Sequence, residues 1–393
     1  MSNALSAGKA WASTGLVQIL TGVLFSAVVS AEPRVTHIFR APADFQGQVQ
    51  RVIIDRGGVP WISTTRSLYK AAPHGGIIDV EPVGGTDERI VMMPGGDLYA
   101  RVSADKKSGR FVVQLRNLNT PGQVIGSLDS PGLPVGFTTL HVGYRGRMIV
   151  TATPLQNAEG LRGKFQFAYW SRAGDLLSEI KLDGPHTAVV DESGDAILLM
   201  GQADAISFDN SGTELWRLRG AFRKGALAGR GSVALLNPAD AIDTIRVVRP
   251  GAVTTVTLPG PVHELALTPD GSMAAIATDA GKVSFITTGS CGPSSCPVVE
   301  MPALHTGTYY VSAVRFLDRA TLAVGVIEAS GDPSDMRYDE GDVFVVATDG
   351  QVKLRHPVRL AADAGWSPLL NVKFGEAVFT AHTSDTVVVI NVN

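Results

Sequence analysis

Only two cysteines, Cys291 and Cys296, occur among 393 residues, which excludes a chain held together by a network of disulfides. Charge of one sign is not in excess, since 34 basic and 37 acidic side chains leave a net charge of −3. Without a basic surplus nothing draws the chain to nucleic acid, so nucleic acid is not expected as a partner. No apolar run reaches the roughly 20 residues a spanning helix needs. No long segment repeats apolar residues at helical spacing either, and 43 Gly with 22 Pro interrupt any such pattern, which argues against helical folds. The common catalytic signatures are missing too: there is no G-x-S-x-G elbow, no P-loop and no H-E-x-x-H. "HELAL" from His263 lacks the second histidine, and "GRGSVA" from Gly229 fits G-x-G-x-x-A but runs on into "LLNP" where a phosphate-binding turn must open a helix. It reads as a hairpin turn. What the chain does have is 45% apolar residues, enough to build a large ordered core.

The first 31 residues differ from the rest. Lys9 is their only charged side chain, Gly15 to Val29 is largely apolar and contains Gln18, and "VSA" precedes Glu32. That pattern reads as a signal peptide cleaved after Ala31, leaving residues 32–393 as a single domain. A periplasmic or secreted location follows, without stable membrane insertion once the segment is removed. In such an oxidising setting Cys291 and Cys296, in "SCGPSSCP", are expected to form a disulfide across a short Gly, Pro and Ser loop.

Along the remaining chain one unit recurs: a short apolar strand, a tight turn, and a second apolar strand. Eight copies stand out, among them "RVIIDRGGVPWISTT" from Arg51, "TAVVDESGDAILLMG" from Thr187 and "HELALTPDGSMAAIAT" from His263. A second Gly-containing turn follows most copies, as in "FDNSGTELWRL" from Phe208 and "VATDGQVKLR" from Val346. Two hairpins per repeat make four antiparallel strands, and repeats of roughly 45 residues are the size of a β-propeller blade. The expected fold is therefore an all-β propeller with eight blades, seven being the alternative because "GALAGRGSVALLN" from Gly225 is the weakest hairpin. The last copy stops after its third strand, "DTVVVINVN" from Asp385, while "RVTHIF" from Arg34 is a spare strand. Pairing of the two closes the ring and removes an exposed edge.

"HELALTPDGSMAAIAT" resembles the hairpin of bacterial WD40-like and YVTN-type propellers. "VIIDRGGVPWISTTRSLYKA" from Val52 resembles a regulator-propeller repeat, and "AISFDNSGTELW" from Ala205 is similar to a repeat of quinoprotein-like propellers. Each resemblance spans one blade and implies the fold.

If the first strand of each hairpin lines the axis, the segments before it share one face. There the sequence places His186, His263, His305, Tyr309, Tyr310 and Trp366, whose imidazole and aromatic groups suit a sugar, a peptide or a small acid. Three longer connections fall on the same face. Two are basic, with Lys106, Lys107 and Arg110 in one and Arg162 and Lys164 in the other. The third, Glu328 to Asp342, is acidic and holds Asp332, Asp335, Asp339 and Asp342. Those four acids are also where Ca²⁺ would bind, although their spacing misses the D-x-[DN]-x-[DN]-G loop. No cofactor is predicted and no residue is assigned as catalytic. The functional expectation is a non-catalytic scaffold for an unidentified protein or small polar ligand. The alternative is a lactonase or lyase type of enzyme with a divalent cation at the channel mouth.

Overall fold

The computed structural model describes residues 32–40, 49–55, 59–64, 66–71, 77–83, 88–92, 98–105, 110–130, 139–142, 148–155, 164–171, 173–191, 193–278, 282–304, 309–330, 337–359, 369–372, 378–382 and 386–392. Their strands assemble into eight antiparallel sheets of four. Blade 1 comprises Val49–Ile54, Pro60–Thr64, Ser67–Ala71 and Ile77–Pro82. Blade 2 comprises Glu88–Met92, Leu98–Asp105, Arg110–Asn117 and Thr120–Ser130, and blade 3 Thr139–Val142, Met148–Leu155, Lys164–Ser171 and Leu176–Asp183. Blade 4 follows with Thr187–Val190, Ala196–Met200, Asp204–Asp209 and Glu214–Arg219, then blade 5 with Phe222–Ala228, Val233–Pro238, Thr244–Arg249 and Ala252–Thr257. Blade 6 is built from Val262–Leu267, Met273–Thr278, Val283–Thr287 and Val298–Glu300, and blade 7 from Tyr309–Phe316, Thr321–Ser330, Arg337–Ala347 and Val352–Arg359. Blade 8 takes Leu369–Asn371, Val378–His382 and Thr386–Asn391 from the end of the chain and its outer strand, Arg34–Arg40, from the beginning.

This last pairing is the expected clasp. Val35 faces Ile390 and Phe39 faces Val387 in antiparallel register. The weak hairpin of blade 5 is fully formed, with Ala228 opposite Val233, so the count is eight.

A single sheet of this size cannot bury enough apolar surface by itself, so the core is divided among the seams between blades. Among the described residues there are eight buried apolar clusters, one for each neighbouring pair. Phe39, Val387 and Val389 of blade 8 pack on Val52 and Ile62 of blade 1, and Ile53 and Trp61 of blade 1 pack on Ile90 and Tyr99 of blade 2. The series continues round to Val343 and Val345 of blade 7 against Phe379 and Ile390 of blade 8. No seam is left open, which is what makes the arrangement a ring.

Turn chemistry ends the strands where the sequence places Asp, Ser, Thr and Gly. Asp55 accepts from the Val59 backbone at 2.9 Å and from Trp61 Nε1 at 2.9 Å. Asp191 does the same job in blade 4, accepting from the Asp195 and Ala196 backbone at 2.9 and 3.1 Å. Burial raises its carboxyl above the usual range, against the hydrogen bonds that lower it. Thr268 replaces the carboxylate in blade 6, accepting from Met273 N at 3.0 Å.

Candidate functional site

In each blade the fourth-to-first and second-to-third connections lie on one face, called upper here, and the other turns lie on the lower face. In blades 4 and 6 the second strand stops level with the start of the first, where Met200 faces Thr187 and Thr278 faces Val262. Blades 2, 3 and 7 rise higher. Glu88 faces Ser103, yet the second and third strands continue to the pair Asp105 and Arg110. In blade 3 Thr139 faces Ala152 and the ladder runs on to Leu155 and Lys164. In blade 7 it reaches Ser330 and Arg337, across strands of 10 and 11 residues compared with 5 and 6 in blade 4. Much of what the sequence suggested as loops is therefore strand. In an eight-membered ring, blade 7 stands across the axis from blade 3, so the upper face carries raised walls on opposite sides.

The structure distributes the predicted residues unevenly. Lys106, Lys107, Arg162, His305, Asp332, Asp335 and Trp366 lie outside the described residues. Arg110 and Lys164 open the third strands of blades 2 and 3, and Lys164 pairs with Asp183 at 3.5 Å. Asp339 and Asp342 belong to the third strand of blade 7. Asp342 is buried and pairs with Arg355 at 2.8 Å. Tyr309 is buried and its hydroxyl accepts from Leu304 N at 3.0 Å, whereas Tyr310 is half-buried beside it.

His186 is enclosed between blades 3 and 4. Its Nδ1 lies 3.1 Å from Gly184 O, its ring meets Phe167 edge-on, and Nε2 is 3.7 Å from Asp204 Oδ1. The ring fits because Gly201 has no side chain: a Cβ there would stand 2.5 Å from Nε2. It packs the seam of its own blade.

His263 marks a feature the sequence did not reveal. The first strands of blades 1, 5, 6 and 7 each carry a bulge near the upper face, between Val49 and Arg51, Phe222 and Lys224, Val262 and Glu264, and Val311 and Ala313. An extra residue bends the strand and turns neighbouring side chains toward one side. In blades 5 and 6 it brings Arg223, Lys224 and Glu264 to the inner wall. Lys224 Nζ donates to His263 O and lies 3.4 Å from Glu264 Oε1, while Arg315 of blade 7 reaches Glu264 Oε2 at 3.3 Å. A charge inside an otherwise apolar first strand, as in "FRKGALA", "VHELAL" and "YYVSAVRF", is the sequence signal that marks them. Among the described residues no group of three or more His, Cys, Asp or Glu side chains is placed to hold a metal ion.

Known structures share this architecture. The computationally designed Ika8 protein is similar over 90% of this chain and 98% of its own, with a TM-score of 0.60 and 13% identity. Sqt1 of Saccharomyces cerevisiae is similar over 91% and 98%, with a TM-score of 0.58 and 12% identity. The β-propeller domain of Cps50 (Swd1) from Myceliophteria thermophila covers 79% of the chain at a TM-score of 0.49 and 13% identity. Likeness at this identity establishes the fold and nothing narrower. Neither a family model nor a curated protein matches the sequence.

Proposed function

We propose that this propeller is a periplasmic or secreted, non-catalytic scaffold that holds a partner protein on its upper face, residues 1–31 serving as its signal peptide. The observation that carries the reading is the pair of raised walls, blades 2 and 3 on one side and blade 7 on the other. Strand extensions are hydrogen-bonded and stiff, so they present a partner with a pre-shaped channel at low ordering cost. Charge supports it. Arg110 and Lys164 begin the third strands of blades 2 and 3 on one wall, and Asp339 lies on the third strand of blade 7 on the other, a polarity that would orient a charged partner. The disulfide between Cys291 and Cys296, with Cα atoms 4.1 Å apart, fits an oxidising compartment.

The test is site-specific photo-crosslinking in the native host. A crosslinker at Tyr310 or Lys164 should capture a discrete partner, and one at Asp349 on the lower face should not. Capture from Asp349 alone, or from no position, would overturn the reading.

A further inference from the structure

We propose that the axial wall formed by the first strands of blades 5, 6 and 7 binds a small doubly charged oxyanion, a phosphate or a dicarboxylate. The innermost strand of a blade has a neighbour on one side only, so its inward backbone edge lacks a ladder partner. In this sector cationic side chains cover that edge. Arg223 Nη2 donates to Val262 O at 2.5 Å, Lys224 Nζ donates to His263 O, and Arg315 Nη1 donates to Val314 O at 2.6 Å. Arg223 also donates to the buried Asn237 side chain.

Carbonyl and amide oxygens satisfy these donors and cancel none of their charge. The one carboxylate in the group, Glu264, is shared, with Oε1 at 3.4 Å from Lys224 and Oε2 at 3.3 Å from Arg315. Both distances exceed the roughly 2.7–2.9 Å of a closed charge-assisted bond. Glu264 thus spans two cations without engaging either closely. Among the described residues of this cluster, three cations against one anion leave two positive charges in surplus, in a chain whose net charge is −3.

The surplus is accessible. Lys224 and Arg315 keep 37% and 39% of their side-chain surface exposed and Glu264 keeps 25%. A concave wall with a surplus of one sign of charge concentrates counter-ions. A dianion offers each of Lys224 and Arg315 an oxygen, and its two charges match the surplus. The site lies on the inner wall and does not depend on partner docking between the raised walls.

The experiment is calorimetric titration of the purified protein with inorganic phosphate and, separately, with succinate. Binding of either supports the site, phosphate alone assigning a tetrahedral anion and succinate alone a dicarboxylate. Lys224→Gln and Arg315→Gln should each weaken binding about ten-fold, and Glu264→Gln should tighten it by removing the competing carboxylate. The charge-conserving Lys224→Arg and Arg315→Lys should retain binding, and they carry the test should a neutral variant fail to fold. Raising salt from low ionic strength to 0.15 M should weaken all of these together, as roughly expected for exposed charges. The proposal is overturned if neither anion binds, if the two neutral variants bind like the parent, or if Glu264→Gln binds more weakly. Upper-face crosslinks from Tyr310 should persist in Lys224→Gln, which separates this site from the scaffold reading.

Discussion

Individual residues in this ring are held by how little room their neighbours leave. Gly201→Ala would drive a methyl group into the His186 ring, so we expect a loss of about 1–3 kcal/mol in urea unfolding, with blades 3 and 4 losing hydrogen-exchange protection first. Arg230 is the converse case: it adopts φ 55° between Gly229 and Gly231, a conformation that costs side-chain-bearing residues energy. Its ion pair with Asp195 is long, 3.7 Å, and Arg230 is mostly exposed, so little is lost on removing it. Arg230→Gly should therefore raise stability by about 0.5–1 kcal/mol in the same assay. His356 gives a pH signature. Burial pushes its imidazole below the ordinary value of 6.5, outweighing the Asp342 carboxylate that raises it. Because the unfolded chain takes up the proton more readily, the stability this group contributes is complete above pH 6.5 and is lost as pH falls toward the lowered value. His356→Gln should flatten that slope in thermal melts between pH 7 and pH 5.

At the scale of elements, adjacent blades are locked by their turns as well as by their seams. Arg319 in the blade 7 turn reaches Asp270 in the blade 6 turn at 2.5 Å. Burial would raise the Asp270 carboxyl, but bonds from Ser272 and Thr268 and the Arg319 charge lower it to about 2. Trp216 Nε1 of blade 4 donates to Gly231 O in the blade 5 turn at 2.6 Å, so the tryptophan of "AISFDNSGTELW" fastens one blade to the next. The cysteine loop does likewise, Thr254 Oγ1 donating to Gly292 O at 2.7 Å. Cys296→Ser should cost about 2 kcal/mol or less, because the closed loop is short. Global unfolding of that variant, seen by circular dichroism, would contradict this. The heights of the blades were not legible in the sequence: Ser103 to Arg110 and Glu328 to Asp342 are rich in Gly and charge, which reads as loop, and cross-strand pairing carries much of both segments on as strand.

The molecule as a whole depends on one strand from the start of the chain. Removing residues 34–40 would uncover the edge of Thr386–Asn391 and take Phe39 out of the cluster it forms with Val387 and Val389. We expect such a truncation to aggregate or self-associate in light scattering rather than persist as a monomeric open ring. A truncated monomer with an unchanged melting temperature would show that the clasp contributes little.

The sequence by itself determined the eight hairpins, their turns, the clasp between the ends and the cysteine pair, because each is encoded by residues close together or by an alternation that survives in one dimension. Tertiary structure alone decided which side chains meet. Lys224, Glu264 and Arg315 are separated by 40 and 51 residues and lie on three different blades, and a bulge that no local motif announces turns the first two of them inward. His186 shows the same limit from the other side, since its place against Phe167 and Gly201 follows from the packing of neighbouring blades, a contact that only closure of the ring creates.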